Sequence, residues 1–583
     1  DRFLAKLHPS EDEQGLFYEA RLIKKIGSGP RRMTGIFRAE AQGGRVVPVE
    51  KKSNKEWLIP QGATGGAEDG ELVEAEQTGG PKMGLPRAKI TERIGDPHAP
   101  KNLSLIAIHQ YDIPYAFPDE VVREADAVAL PDGEAWEDLT HLPLFTIDPA
   151  DARDHDDAVA AMPDDDPANP DGHVLWVAIA DVAACVAPGG RLDTEARKRG
   201  NSTYFPDRVA PMLPERLSAD LCSLRGGERR PCLAVRITLD AKGEKTGHRF
   251  TRGIMRSRAA LTYERVQAAQ DGEPDEETAA LLPEIRALYA CYRAAHRARE
   301  ARQPLDLDLP ERHILLDESG DVTGIPLAER LDAHRLIEEF MILANVAAAE
   351  TLEARRRPFL YRVHEEPSAE KLEQLRETVE SVGLTLAKGQ GLKTRHLNDL
   401  LHQARDSEAA EMVSLQVLRA QTQAYYAPEN FGHFGLNLPR YCHFTSPIRR
   451  YADLVVHRAL IAGLGLGPGG QTGEEAETLA QTAEHISKTE RRSMEAERDT
   501  RDRYLAAYMA EREGAEFTGR IAGVTRVGLF VKLDGTGADG FVPIGSLGRE
   551  YYHHDPDQQT LTGERSGRVL ALGAAALISV NAM

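Results

Sequence analysis

Cysteine is scarce in this chain: five among 583 residues, at 185, 222, 232, 291 and 442, with no Cys-x-x-Cys pair. An odd number at such spacings supports neither a disulfide framework nor a zinc ribbon, and fits a reducing cytoplasmic setting. Long apolar runs are also missing. The longest candidate, residues 569–580, is broken by glycine and serine and is too short to cross a bilayer, so we expect no membrane contact. Net positive charge is absent as well. A formal charge of −20 would ordinarily argue against a polyanionic partner. That average hides a local reversal, because residues 17–58 hold ten Lys or Arg against four Glu. The chain opens on Asp1 rather than methionine and stops at Met583, which leads us to expect processed or engineered ends.

What is present in excess is aspartate in one short stretch. Residues 148–157 read Asp-Pro-Ala-Asp-Ala-Arg-Asp-His-Asp-Asp, directly after the apolar run 142–147. Two carboxylates about 4 Å apart at an effective dielectric near 20 repel by roughly 4 kcal/mol. Either some protons stay on or a divalent cation sits among them. All-oxygen clusters suit Mg²⁺ or Mn²⁺, which keep several waters and take further ligands from substrate phosphate. Phosphodiester chemistry follows as the expectation. A solvated acidic loop is the bland alternative, but Phe145, Thr146 and Ile147 read as the end of a buried strand, and residues 158–162 and 174–180 as two more. An EF-hand is excluded by the lack of Gly at the sixth and Glu at the twelfth position from Asp151 or Asp154.

The register of these residues, Thr146-Ile147-Asp148 with Asp154, Asp156 and Asp157, resembles the catalytic signature of the ribonuclease II and ribonuclease R family of processive 3′-to-5′ exoribonucleases. Further matches follow in the same chain order: residues 201–204, 211–214, Asp220-Leu221-Cys222-Ser223-Leu224-Arg225, Ile337-Glu338-Glu339, and Thr445-Ser446-Pro447-Ile448-Arg449-Arg450-Tyr451. The resemblance spans essentially the whole chain and leans to the ribonuclease R branch. It implies Asp148, Asp154 and Asp157 as metal ligands, with Asp156 the aspartate whose loss stops chemistry, either as a ligand of the second metal or by orienting the attacking water. It also implies Tyr204 stacking near the RNA 3′ end, Tyr263 close to the scissile phosphate and Glu338 near a ribose 2′-hydroxyl. Asp151 is extra to the pattern and expected to face solvent. Where family members often place a second clamping aromatic, this chain has Asp306-Leu307-Asp308, which puts stacking there in doubt.

Around this signature the expected architecture is multidomain α+β, since the chain is too long for one core. Residues 1–95 read as a cold-shock-type OB barrel, on short β-like runs with Phe17, Tyr18, Phe37 and Trp57 interleaved among basic residues, an arrangement that suits phosphate contact and base stacking. A plain barrel with those rings in its core is the competing reading. Residues 96–136 read as an irregular Pro-rich linker with one short helix near 119–125. Residues 137–512 form the α+β RNB catalytic domain with C-terminal helices, among them a helix starting at Glu338. Residues 513–583 form a second RNA-binding OB barrel, expected to lack its last strand.

Ser446-Pro447 has the form of a helix start, Ser as N-cap and Pro at the first helical position. Arg449 would then lie in the first turn, where backbone N–H groups and a guanidinium together make a phosphate site. Asp453 and His457 follow at four-residue steps on the same face; a surface ion pair between Arg449 and Asp453 is the structural alternative. The expected function is a Mg²⁺-dependent (alternatively Mn²⁺-dependent) exonuclease acting on single-stranded RNA by a two-metal mechanism, releasing nucleoside 5′-monophosphates. RNA with structured regions and a 3′ overhang is a further candidate substrate. The rivals are a catalytically weak RNA-binding regulator of the same family and a DNA-directed nuclease, which the 2′-hydroxyl contact would distinguish.

Overall fold

The computed structural model describes residues 3–12, 15–25, 32–49, 55–78, 85–97, 99–131, 136–307, 309–386, 391–407, 409–556 and 559–581, with side chains from Arg32 onward. Phe17, Tyr18, Arg21, Lys24 and Lys25 therefore lie outside the described side chains, and Arg31, Lys51 and Lys52 outside the described residues. The chain divides into two units, one of residues 1–113, 316–322 and 496–507, the other of residues 114–315, 323–495 and 508–583.

In the first unit, five antiparallel strands run in the spatial order Trp57–Pro60, Gly43–Pro48, Arg32–Glu40, Leu72–Gln77, Ala88–Gly95. A parallel bridge from Leu58 to Arg87 joins the two outer strands into a barrel. Closure demands a sharp bend at Gly43, whose φ is +108° and where an added Cβ would stand 2.1 Å from the Ile59 carbonyl oxygen. Phe37 and Trp57 are 1% and 8% exposed and fill the core with Val46, Ile59 and Val73. The platform expected of these two rings is thus overturned: alternation puts one face of each strand inward, and theirs is that face. Barrel arginines are also engaged, Arg45 with Glu40 (2.6 Å) and Glu56 (3.2 Å), Arg93 with Glu71 (2.9 Å) and Arg32 with Glu74 (3.2 Å). The stretch read as irregular linker opens with a helix, Pro100–Gln110. Proline there marks a helix start, since its fixed φ and missing N–H cost nothing in the first turn.

The second unit is built on a sheet ordered Asp157–Pro163, His173–Ala180, Arg229–Leu239, Lys245–Arg256, Glu137–Asp138, antiparallel except for the last pair. Its first two strands are nearly continuous apolar runs, and helices Leu282–Arg302 and Asp332–Ala354 pack on the sheet. That second helix begins six residues before Glu338, so Glu338 lies in its second turn rather than at its start. Strands Thr146–Asp148 and Ala260–Thr262 pair in parallel with Asp148 opposite Thr262, which brings Tyr263, the first residue of helix Tyr263–Asp271, beside the aspartate stretch. Helix Tyr451–Leu464 is almost wholly buried.

A second barrel follows within this unit. One sheet orders Asp539–Pro543, Gly528–Leu533, Glu516–Thr525 and Ala575–Ser579, the other Tyr552–Asp555, Thr560–Gly563 and Val569–Ala571, over a core of Ile521, Leu529, Val531 and Leu561. The closing strand that the sequence was expected to lack is Ala575–Ser579, registered with Glu516 opposite Ser579. Its alanine-rich composition hides the polar/apolar alternation by which strands are read.

Candidate active site

Asp148 ends one strand and Asp157 begins the next, and the turn between them is braced from outside. Ser223 Oγ donates to the Arg153 carbonyl (3.1 Å) and accepts from the His155 N–H (3.0 Å), while the Leu224 N–H donates to the His155 carbonyl (3.0 Å). The Ala180 N–H donates to the Asp156 carbonyl at 2.8 Å. Held this way, the turn buries Asp156 (4% exposed), half-buries Asp148, Asp154 and Asp157, and leaves Asp151 exposed as expected. The segment 220–225, first noted for its resemblance alone, is thus a brace for the aspartate turn.

Each carboxylate has a different environment. Asp148 Oδ2 accepts from His155 Nδ1 at 2.7 Å, and this bond lifts the imidazole pKa against its desolvation. Asp154 Oδ2 accepts from the Tyr204 hydroxyl at 3.1 Å. Burial drives the Asp156 carboxyl well above the ordinary range, opposed by the Arg449 charge and by the Ile448 N–H, which donates to Oδ1 at 2.9 Å. Its Oδ2 is buried without a hydrogen-bond partner, 3.5 Å from Arg449 Nε. Asp157 is pushed up to about 7, first by burial and then by the Asp148 charge. A cluster whose members raise one another's pKa holds protons or a cation. Among the described residues no three His, Cys, Asp or Glu side chains stand at metal-holding distance. The orphaned oxygen of Asp156 and the mutual repulsion nonetheless fit Mg²⁺, which needs only one or two carboxylates besides water and phosphate.

Facing this turn is residues 446–450, and here one expectation is corrected. The helix starts at Tyr451, not at Pro447, with Arg450 as its N-cap. The Ile448 N–H that would open the helix is committed instead to Asp156. Asp453 pairs with Arg450, not Arg449, through Nε to Oδ2 and Nη2 to Oδ1, both 2.8 Å. Arg449 is left with its Nη2 on Ser446 Oγ (3.0 Å) and its Nε toward Asp156. His457 does not share the site; its Nε2 donates to the buried Phe444 carbonyl at 2.7 Å.

Of the other residues named, Tyr204 and Tyr263 stand by the aspartates, whereas Glu338 lines a cavity whose lining includes none of the four. Tyr204 has a ring about 40% exposed and a hydroxyl on Asp154, so it both offers a face and anchors a carboxylate. Tyr263 stacks on His334 at 3.9 Å between centroids, and burial, then the Asp157 and Asp148 charges, lift its phenol. Glu338, one helical turn beyond His334, pairs with Arg330 and lines a cavity of about 1010 Å³ with Arg299, Arg335 and Asp306. Leu307 packs against an apolar cluster, and Asp308 lies outside the described residues. Residue patterning missed one feature: Phe530 and Phe541 stand opposite each other on the second barrel, 5.1 Å between centroids and 46% and 45% exposed. The signal was there, since Leu529, Val531 and Leu533 alternate inward around Phe530.

Comparison with known proteins settles the family. Residues 136–465 match the RNB domain, residues 46–118 a cold shock domain and residues 511–567 an S1 RNA binding domain. Ribonuclease R of Escherichia coli is 38% identical over 587 residues, covering 97% of this chain and 71% of that protein. The chain belongs to the ribonuclease R family. Ribonuclease R of Aquifex aeolicus is 37% identical over 566 residues, with 95% and 79% of the two chains covered. In fold, the chain resembles Mycoplasma genitalium RNase R in complex with ribose methylated single-stranded RNA, at a TM-score of 0.88 and 24% identity, covering 100% of this chain and 92% of that one. Membership in this family makes it a 3′-to-5′ exoribonuclease with cold-shock and S1 RNA-binding modules.

Proposed function

We propose that this ribonuclease R family member hydrolyses single-stranded RNA processively with divalent metal, Mg²⁺ or Mn²⁺, and releases nucleoside 5′-monophosphates. The observation that carries the reading is Asp156: buried, one oxygen on a backbone amide, the other without a hydrogen bond and facing Arg449 within a set of four carboxylates. Asp148, Asp154, Asp156 and Asp157 are the residues that would hold the ions. Two bound metals would supply an activated water and charge stabilisation at the phosphoryl and leaving 3′-oxygens. The chain's own residues do the rest. Arg449 binds the scissile phosphate and opposes its growing charge. Tyr204 stacks a base near the 3′ end while its hydroxyl fixes Asp154, Tyr263 sits close to the scissile phosphate, and Glu338 accepts from a ribose 2′-hydroxyl.

RNA with a structured region and a 3′ overhang belongs to the same reading; another structure of Mycoplasma genitalium RNase R that this fold resembles holds double-stranded RNA. Among the described residues no helix is long and apolar enough to cross a membrane. The unpaired cysteines favour a reducing cytoplasm. Incubation of uniformly labelled RNA and DNA oligonucleotides with enzyme, with and without Mg²⁺, tests the proposal. RNA should be lost to 5′-monophosphates in the metal arm only, with few intermediate lengths, and DNA should persist. Cleavage that survives chelation, or products bearing 3′-phosphates, would refute it.

A further inference from the structure

One carboxylate ties together both ends of the arginine turn. Asp453, fully buried in the first turn of helix Tyr451–Leu464, accepts at Oδ1 from the Ser446 N–H (2.8 Å), where the turn begins. The same carboxylate takes both arms of the Arg450 fork, where the turn ends. Everything between these two anchor points faces the reaction centre: Ile448 donates its N–H to Asp156, and Arg449 lies 3.5 Å from the same carboxylate. Ser446 enters a second time, because its Oγ accepts from Arg449 Nη2. The backbone beyond is pinned as well, by the Ser202 N–H on the Arg449 carbonyl (3.0 Å) and the Tyr451 N–H on the Gly200 carbonyl (2.9 Å).

A buried ion pair is a poor device for stability, since desolvation consumes most of its Coulomb energy and apolar residues of like volume often do better. What such a pair supplies is direction. A guanidinium fork fixes both oxygens of a carboxylate and hence its plane, whereas an ammonium fixes neither. With the Asp453 plane set by Arg450, Oδ1 points at the Ser446 N–H, the turn closes, and Arg449 has one approach to Asp156. The Arg450 side chain is 22% exposed, and both its Nε and Nη2 are spent on Asp453, so its part is played through its neighbour.

We infer that Arg450 and Asp453 form a positioning unit that aims Arg449 and the Ile448 N–H at Asp156, so that their loss slows the chemical step and spares RNA binding. The inference rests on the proposed role of Arg449 at the scissile phosphate. A misplacement of about 1 Å at a reacting centre can cost on the order of 100-fold in rate.

The test is a double-mutant cycle on the full chain, read as single-turnover RNA cleavage at saturating enzyme, RNA affinity in chelator, and thermal melting. Arg450→Lys should lower the cleavage rate by about 10- to 100-fold, with affinity within about twofold of the parent. Combined with Arg449→Ala, the same substitution should cost clearly less than it does alone, because the guanidinium it aims is already gone and only the Ile448 N–H remains to be misplaced. Ser446→Ala, which removes one hydroxyl, should give a smaller loss that shrinks in the same way, and it decides the matter if Arg450→Lys fails to fold. Parent-like cleavage by Arg450→Lys, or an undiminished penalty in the Arg449→Ala background, overturns the positioning unit. Parent-like cleavage by Arg449→Ala alone instead overturns the assignment of Arg449, a result the cycle separates from the first.

Discussion

The catalytic centre and the S1 barrel lie in one unit of the chain and treat their functional groups in opposite ways. At the centre, polar groups are buried and bound to one another: Asp156 on the Ile448 N–H, Asp154 on Tyr204, Asp148 on His155. On the barrel, Phe530 and Phe541 are nearly half exposed, with ring centroids 5.1 Å apart. Burial keeps carboxylates at high energy and fixed geometry, which serves bond breaking. Exposure leaves aromatic faces free to take any base, which serves holding. The difference teaches that cutting and holding RNA should be separable by substitution.

The largest expected effect is at the centre. Asp156→Asn should drop RNA hydrolysis below about a tenth of the parent rate, given that loss of one preorganised electrostatic group costs on the order of 100-fold or more. RNA affinity, measured by filter binding with short single strands, should stay near or above that of the parent. Melting should not suffer, since the substitution also removes the desolvation that lifts this carboxyl. Hydrolysis above that level in Mg²⁺ would show that Asp156 is not the pivotal carboxylate and that the two regions are less distinct than drawn.

The sequence showed some of this contrast and concealed the rest. Four aspartates in strand-turn-strand register are a local signal, and the structure puts them together on one turn. Ser446-Pro447 is a local signal too, but it misled. The N–H of Ile448 is claimed by Asp156, 292 residues away in sequence, and no local pattern reports so distant a partner. The surface ion pair of Arg449 with Asp453, weighed against a phosphate site for Arg449, does not form, because Asp453 pairs with Arg450. Aromatics among basic residues suggested a platform on the first barrel, whereas Phe37 and Trp57 lie inside it and Phe530 and Phe541 stand exposed on the other barrel. A strand's period says that two faces exist and not which one is covered.

An intermediate effect is expected at Glu338, which lines the large cavity, pairs with Arg330, and follows by one turn the His334 that stacks on Tyr263. If it accepts a ribose 2′-hydroxyl, single-stranded DNA should compete for binding yet resist cutting, since only ribose supplies the donor. Glu338→Ala should then narrow the ratio of RNA to DNA cleavage by roughly tenfold, the worth of one hydrogen bond to a charged group, and do so mainly by slowing RNA. An unchanged ratio would place sugar discrimination at other residues.

The smallest effect on chemistry is expected from the barrel. Phe530→Ala or Phe541→Ala should weaken single-strand binding by about 1 kcal/mol, or roughly fivefold, the low end for one stacked base because the two rings offer a shared face. Neither ring is in the barrel core, so melting should be close to that of the parent. At saturating RNA the single-turnover rate should not change, because no atom of either side chain takes part in the carboxylate and arginine geometry. Titrating salt adds a second reading: stacking is insensitive to counterions while phosphate contact is not, so the variants should keep the parent's salt slope with a uniformly lower affinity. A changed slope, or a fall in the saturated rate, would mean that the barrel acts on the path of the RNA into the centre and that holding and cutting are coupled after all.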